Sequence, residues 1–406
     1  MTTPPSPSFL LLLHPFVSTS CPGDEIADNQ KNLLSAKEAF GFPADIDCDA
    51  LMRALVLEAY LAGAPDLCRL TLRGVPPLST CIHAVDKNLI LMITSFPKVY
   101  PHDIYVIYNA IDRSLHMIPS PPRATVLTAR LLVARHRDDD ACYTLAFPGS
   151  IRGIGSRREP VLFVSLSSSD SQWEIAKHAD IPDHLLAENS DFVAEEVFSH
   201  RGRGYWVDLL LGGMYCDCAD LLSNERSMDI RSLDLHVGCE RYLGDRDDIP
   251  EARAFRAIGC VGDSIKFVSM TGFLEHVDLV DDRMVRVWRL EEDMSWDLDY
   301  ELKLGSLREE GSFKGNQHLP TSMAPMYPFL SMQEDRVIYF ALDEYIYQER
   351  EFCFPSTPSF WVHVDMSSKT FSCTRLSLAN ASIGCLLAMS GNAQGKLAWT
   401  SSQANF

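Results

Sequence analysis

Positive charge is scarce in this chain of 406 residues: Lys and Arg number 36 against 55 Asp and Glu, for a formal net charge of −19. A surface this acidic repels phosphate backbones, which disfavours nucleic-acid and anionic-membrane binding. The nearest thing to a basic patch, Arg152, Arg157 and Arg158, falls in a glycine-rich stretch and reads as solvating it. Long apolar runs are missing as well, and none approaches a membrane span. The apolar run Phe9 to Leu13 lacks a basic leader and is broken by His14-Pro15, so it reads as the opening of a strand, Phe9 to Val17, rather than as a secretion signal. The 12 cysteines show no regular spacing. In a chain of this length that implies reduced thiols buried as small hydrophobes, and a cytoplasmic or nuclear location.

Catalytic signatures are equally thin. There is no Gly-x-Ser-x-Gly elbow, and Gly262-Asp263-Ser264 lies between two β runs, where a tight hairpin turn is its ordinary reading. Gly149-Ser150-Ile151-Arg152-Gly153-Ile154-Gly155 lacks the Lys-Ser/Thr ending of a phosphate loop and reads as a flexible inter-blade loop. Cys216 and Cys218, with His236, Cys239 and Cys260 downstream, do not have the Cys-x2-Cys spacing of a zinc turn and read as buried thiols. Asp247-Asp248, Asp281-Asp282 and Glu291-Glu292-Asp293 sit in turns, where solvated carboxylates are the default. His83, His116 and His363 alternate with apolar strand residues and read as partly buried structural histidines. No cofactor, metal ligand or catalytic residue is expected.

What the chain does have is a 46% hydrophobic composition with 22% charge, enough for a large core. Residues 1–45 read as a partly disordered N-terminal segment and 46–406 as a single body. A helix is expected from Ala50 to Ala62, capped by Asp49 and ended by Gly63 and Pro65. Beyond Ile82 the pattern becomes short β runs punctuated by Gly, Pro, Asp and Ser, the mark of an all-β architecture. Tyr205 to Leu209 and Met214 to Cys216 form the clearest pair, turning on Gly212-Gly213.

One unit recurs: a strand, a polar turn, then a second strand with a large apolar residue near its start. It occurs at Ile104 to Pro119, Val161 to Ile175, Val285 to Leu298 and Trp361 to Ser372. That is the outer hairpin of a propeller blade, and the gaps leave room for others, so a β-propeller of about six or seven blades is expected. A pair of stacked sandwiches is the competing layout.

The segments Tyr205-Trp206-Val207-Asp208-Leu209, Gly212 to Asp217, Phe255 to Gly259, Ile265 to Val268, Val285 to Leu290 with Trp296, and Pro325 to Leu330 occur in order. In these the chain resembles the grass-expanded plant family built on domain of unknown function 1618, with a specific core at about 205–340. The resemblance implies a propeller-like body, sometimes preceded by an F-box, and brings no catalytic residues. It marks Trp206, Asp208, Gly212, Gly213, Asp217, Trp288 and Trp296 as structural motif positions, with Trp206 packing between blades and Asp208 orienting a turn.

The function expected is a non-enzymatic scaffold that binds an unknown protein partner through inter-blade loops, with 241–253 and 308–323 as exposed candidates. One alternative is a substrate receptor of a ubiquitin ligase, with a degenerate F-box near 42–70 opened by Phe42-Pro43-Ala44-Asp45-Ile46. Another is a propeller hydrolase.

Overall fold

The computed structural model describes residues 9–13, 16–20, 56–60, 67–73, 79–86, 89–95, 103–109, 114–118, 132–136, 139–152, 158–166, 174–180, 192–222, 227–235, 252–271, 283–309, 323–330, 334–344, 346–348, 351–353, 360–375 and 387–391. Period-two burial explains why these stretches are strands. In Phe360–Asp365, Val362 and Val364 are buried while His363 between them and Asp365 after them are not. In Met284–Leu290, Val285 and Val287 are buried and Met284 and Arg286 half-buried.

The first sheet has nine strands: β1 (Phe9–Leu13), β2 (Phe16–Ser20), β3 (Val56–Tyr60), β4 (Leu67–Arg73), β5 (Ser79–Asp86), β6 (Leu89–Ser95), β7 (Asp103–Asn109), β8 (Ser114–Ile118) and β28 (Leu387–Gly391). β28 pairs antiparallel with β1, which joins distant parts of the chain in one sheet. Four further sheets are blade-like. β9 (Leu132–His136), β10 (Asp139–Arg152), β11 (Arg158–Leu166) and β12 (Glu174–Asp180) form an antiparallel meander to which β16 (Ser227–Asp229) adds in parallel. β13 (Glu196–His200), β14 (Arg203–Asp208), β15 (Gly212–Asp217) and β17 (Arg231–Leu233) make the next, with helix α1 (Cys218–Leu222) after β15. β18 (Arg256–Val261), β19 (Ser264–Met270), β20 (Met284–Leu290) and β21 (Trp296–Lys303) follow, then helix α2 (Leu304–Glu309). The last joins β22 (Met323–Leu330), β23 (Val337–Glu344), β26 (Phe360–Asp365) and β27 (Thr370–Arg375), with a small ribbon of β24 (Ile346–Gln348) and β25 (Glu351–Cys353) between β23 and β26.

Each sheet buries one face against the next. Leu89, Leu91, Tyr105 and Ile107 of the first sheet meet Val133, Tyr143, Leu145 and Phe147 of the second. Leu132 and Ala146 of the second meet Trp206, Met214 and Cys216 of the third. A continuous core then runs from Tyr205 and Val207 through Phe267 and Val285 to Phe340, Val362 and Val364. Sequential face packing of this kind is what makes the arrangement propeller-like.

The blade count is four, not six or seven. The gap between the second and third recurrent hairpins holds one extra blade, β13 to β17. The N-terminal strands enter the wide first sheet instead of forming blades of their own. All four recurrent units are antiparallel hairpins: β7–β8, β11–β12, β20–β21 and β26–β27.

Three local expectations are overturned. The helix over Ala50 to Ala62 is replaced, at Val56–Tyr60, by strand β3 paired to β4. Leu57 is buried and Glu58 exposed, an alternation that suits a sheet edge as well as the apolar spacing suits a helix, and cross-strand pairing decides it. An F-box needs helices where β3 and β4 lie; residues 42–55 and 61–66 lie outside the described residues. Gly149 to Arg152 is also no loop, since it extends β10 opposite Val161 to Arg158. The Gly212-Gly213 pair is not the turn but the start of β15: Asp208 pairs with Gly212, and the turn is Leu209-Leu210-Leu211. His236, Cys239, Asp247-Asp248, Asp281-Asp282 and most of both proposed recognition loops lie outside the described residues.

Candidate functional site

The β14–β15 hairpin has two ends of opposite character. At one end the turn is apolar and buried, with Leu209 and Leu210 almost wholly enclosed. Buried amides there need acceptors, and Asp208, itself fully enclosed, supplies them. Its Oδ1 accepts from the amides of Leu210 at 2.8 Å and Leu211 at 2.9 Å, and its Oδ2 from that of Val193 at 2.8 Å. Glu195 takes the Leu209 amide at 2.7 Å, and Arg256 donates to the Leu209 carbonyl at 2.8 Å. Gly212 adopts φ +113°, and a Cβ on Gly213 would stand 2.8 Å from the Trp206 carbonyl oxygen. Trp206 fills the interface with the preceding blade, beside Leu132 and Ala146.

At the other end, three hairpin tips enclose a groove of about 460 Å³. The first is the Arg201-Gly202 turn closing β13 on β14, with φ 48° and 79°. That is the twist two-residue hairpins prefer. The second is Gly262-Asp263 between β18 and β19, with Gly262 at φ +57°. The third is Glu291 to Ser295 between β20 and β21, closed by the Glu291 amide on the Ser295 carbonyl at 2.8 Å and by Ser295 on the Asp293 carboxylate. Tyr205 stacks at the base of the groove between Phe198 and Tyr215, with centroids 5.2 and 5.7 Å away. Arg203 spans the wall: 3.7 Å from Asp217, 3.5 Å from the Met294 sulfur and 5.6 Å from the Tyr215 ring centre.

His200 is half-buried in this groove, and its Nε2 lies 3.2 Å from the Asp263 carbonyl oxygen. A carbonyl only accepts, so Nε2 carries the proton and is unavailable as a base toward Ser264. Burial, then the Arg201 charge, lowers the His200 pKa below the ordinary value. Burial raises the Tyr205 phenol. The groove therefore offers shape, two guanidiniums and four carboxylates (Asp217, Asp263, Glu291 and Glu292), but not an oriented nucleophile and base.

Of the motif residues, only Asp217 reaches the groove. Trp288 packs in the main core, and the Trp296 ring lies 5.9 Å from that of Phe267. The Trp296 indole donates to the Asp234 carbonyl at 2.7 Å, tying one blade to the next. Cys216 and Cys218 are buried in the interface around Trp206, and burial pushes the Cys216 thiol up. Cys260 is partly buried with its sulfur 3.8 Å from the Ser199 carbonyl oxygen. Among the described residues, no three His, Cys, Asp or Glu side chains stand together as a metal cluster. Sequence reasoning passed over His200, Arg201 and Arg203, although a His-Arg-Gly-Arg-Gly run is conspicuous in so acidic a chain. It also passed over Lys266, a lone charge in the apolar run Ile265 to Val268.

Fold and groove together define a propeller-like β protein with a polar cleft at the hairpin tips. Residues 206–339 match the family model described as Protein of unknown function (DUF1618). No curated protein matches the sequence. Among solved structures, the chain is similar to a xylan beta-1,4-xylosidase from Bacillus halodurans C-125, at 10% identity and TM-score 0.30, covering 76% of this chain and 56% of the other. It is likewise similar to a sucrose-6-phosphate hydrolase from Lactobacillus gasseri, at 10% identity and TM-score 0.33, with 73% and 60% covered. The chain thus spans less than two thirds of the length of these structures.

Proposed function

We propose that the protein is a non-enzymatic scaffold that binds another protein at loops between its blades. The observation that carries this is the groove between three rigid hairpin tips, whose one histidine is turned onto a backbone carbonyl instead of a nucleophile. Pre-formed tips lose little conformational freedom on binding, which suits recognition. The net charge of −19 supports a protein partner over a nucleic acid. The burial of Cys216 and Cys218 in an apolar interface supports a reducing compartment, cytoplasmic or nuclear. No described helix is long and apolar enough to cross a membrane.

Affinity purification of the full chain with quantitative mass spectrometry tests the reading. A partner protein recovered reproducibly and in stoichiometric amount is expected. Recovery of none removes the scaffold reading. Hydrolysis of an ester or glycoside that disappears in Ser264→Ala would replace it with the hydrolase alternative.

A further inference from the structure

The groove also carries information about the chemistry of its occupant. Its four carboxylates outnumber its two guanidiniums. Two of the carboxylates are engaged: Asp217 by Arg203 at 3.7 Å, and Glu291 by Arg289 at 2.8 Å. Glu292 is 96% exposed and meets Arg201, itself 58% exposed, only at 4.0 Å. An ion pair that long and that wet contributes almost nothing and is readily exchanged for a better one. Asp263 stands exposed at the neighbouring tip. The same groove is lined by three apolar side chains, Ile265, Leu290 and Met294.

Apolar side chains in a groove that carries exposed carboxylates match a long cationic side chain, which packs its methylenes against them and keeps its charged head in water. We propose that the groove takes an extended segment of a basic partner protein, with an arginine or lysine head held by Asp263 and Glu292 and its stem lying over Ile265, Leu290 and Met294. The inference rests on the scaffold reading and specifies its partner. Anionic partners are repelled by the same carboxylates, so the groove selects by charge as well as by shape. Turns with left-handed residues at Arg201-Gly202, Gly262 and Met294 shape the backbone that carries these carboxylates before the partner arrives.

The test uses the full chain and three fluorescein-labelled nonapeptides of equal apolar content, carrying two arginines, two glutamates or neither, in a polarisation titration. The arginine peptide should bind about tenfold more tightly than the glutamate peptide at low salt, and the preference should shrink as salt rises. It should vanish in Asp263→Lys/Glu292→Lys and persist in Glu58→Lys, which makes a charge change on the distant strand β3. Should the double variant lose its folded circular dichroism, Glu292→Gln alone serves, with a partial loss of preference expected. Equal binding of all three peptides overturns the inference, as does a preference that survives undiminished in a folded groove variant. Affinity purification keeps the two readings apart: a partner recovered equally by wild type and by the double variant overturns the groove assignment and leaves the scaffold standing. A wild-type chain that recovers no partner removes the scaffold itself.

Discussion

Two buried charged residues organise the matched family segment, and they do so differently. Asp208 is an internal acceptor for a turn made of three leucines, with three backbone amides pointing at one carboxylate. Asp208→Ala leaves those donors buried and unmet, and a loss of about 3 kcal/mol in urea unfolding is expected. Asp208→Asn should cost less, because one acceptor oxygen remains. Lys266, 1% exposed, ties two blades together: its Nζ reaches Asp299 at 2.6 Å and the Asp335 carboxylate at 2.8 Å. Asp299 is 15% exposed and cannot rehydrate, so Lys266→Ala should cost about 3 kcal/mol or more. Asp335→Asn, at a side chain 63% exposed, should cost under about 1 kcal/mol. A third comparison separates crowding from backbone freedom. Gly213→Ala drives a Cβ against the Trp206 carbonyl and Val207, and should cost about 2 kcal/mol. Gly259→Ala meets open space and should shift stability by less than about 1 kcal/mol.

At the scale of elements, the hairpin turns set the response to pH. The carboxylate of Asp365 is held down to about 2, first by the Ser367 hydroxyl and then by the amides of Ser368 and Ser367. Asp293 is lowered in the same way by Ser295. Both turns therefore gain stability above the ordinary carboxylate pKa of about 4, and Asp365 gives up its share as pH falls from there toward 2. His200 acts with the opposite protonation logic. Its folded pKa is lowered, so as pH drops below about 6.5 the unfolded chain takes up the proton first and stability falls. Midpoints of thermal unfolding measured from pH 8 to 5 should decline less steeply in His200→Asn than in wild type. An unchanged slope would contradict the assignment.

Such elements also show what the sequence makes legible. The outer hairpins at β7–β8, β11–β12, β20–β21 and β26–β27 are readable because strand period and turn chemistry lie close together in the chain. The short outer strand β17 is not readable, since three residues carry no period and helix α1 intervenes. The segment of strand β3 is compatible with the helix expected over Ala50 to Ala62, and only its pairing with β4 makes it a strand. The groove was hidden for a similar reason: its tips come from residues 200–203, 262–264 and 291–295, brought together only by packing.

At the scale of the whole molecule, the matched family segment and the structural unit do not coincide. The match opens at Trp206, inside β14, and closes at Tyr339, inside β23. It therefore excludes β13, which pairs with β14 from Glu196 to His200. It also excludes β26 and β27, which complete the last blade. Cutting there removes Val362, Val364 and Phe371 from the main core and Leu132 and Ala146 from around Trp206. An unpaired β15–β17 ribbon and an orphaned β22 would then present apolar faces and open edges to water. Fragment 206–339 should consequently show β-type far-ultraviolet dichroism at most, with no near-ultraviolet tryptophan signal and with strong binding of a hydrophobic dye, while the full chain shows the reverse. A fragment with dispersed amide resonances and a cooperative unfolding transition would mean that one whole blade and parts of two others suffice, and that packing between all the successive sheets is not what holds this fold together.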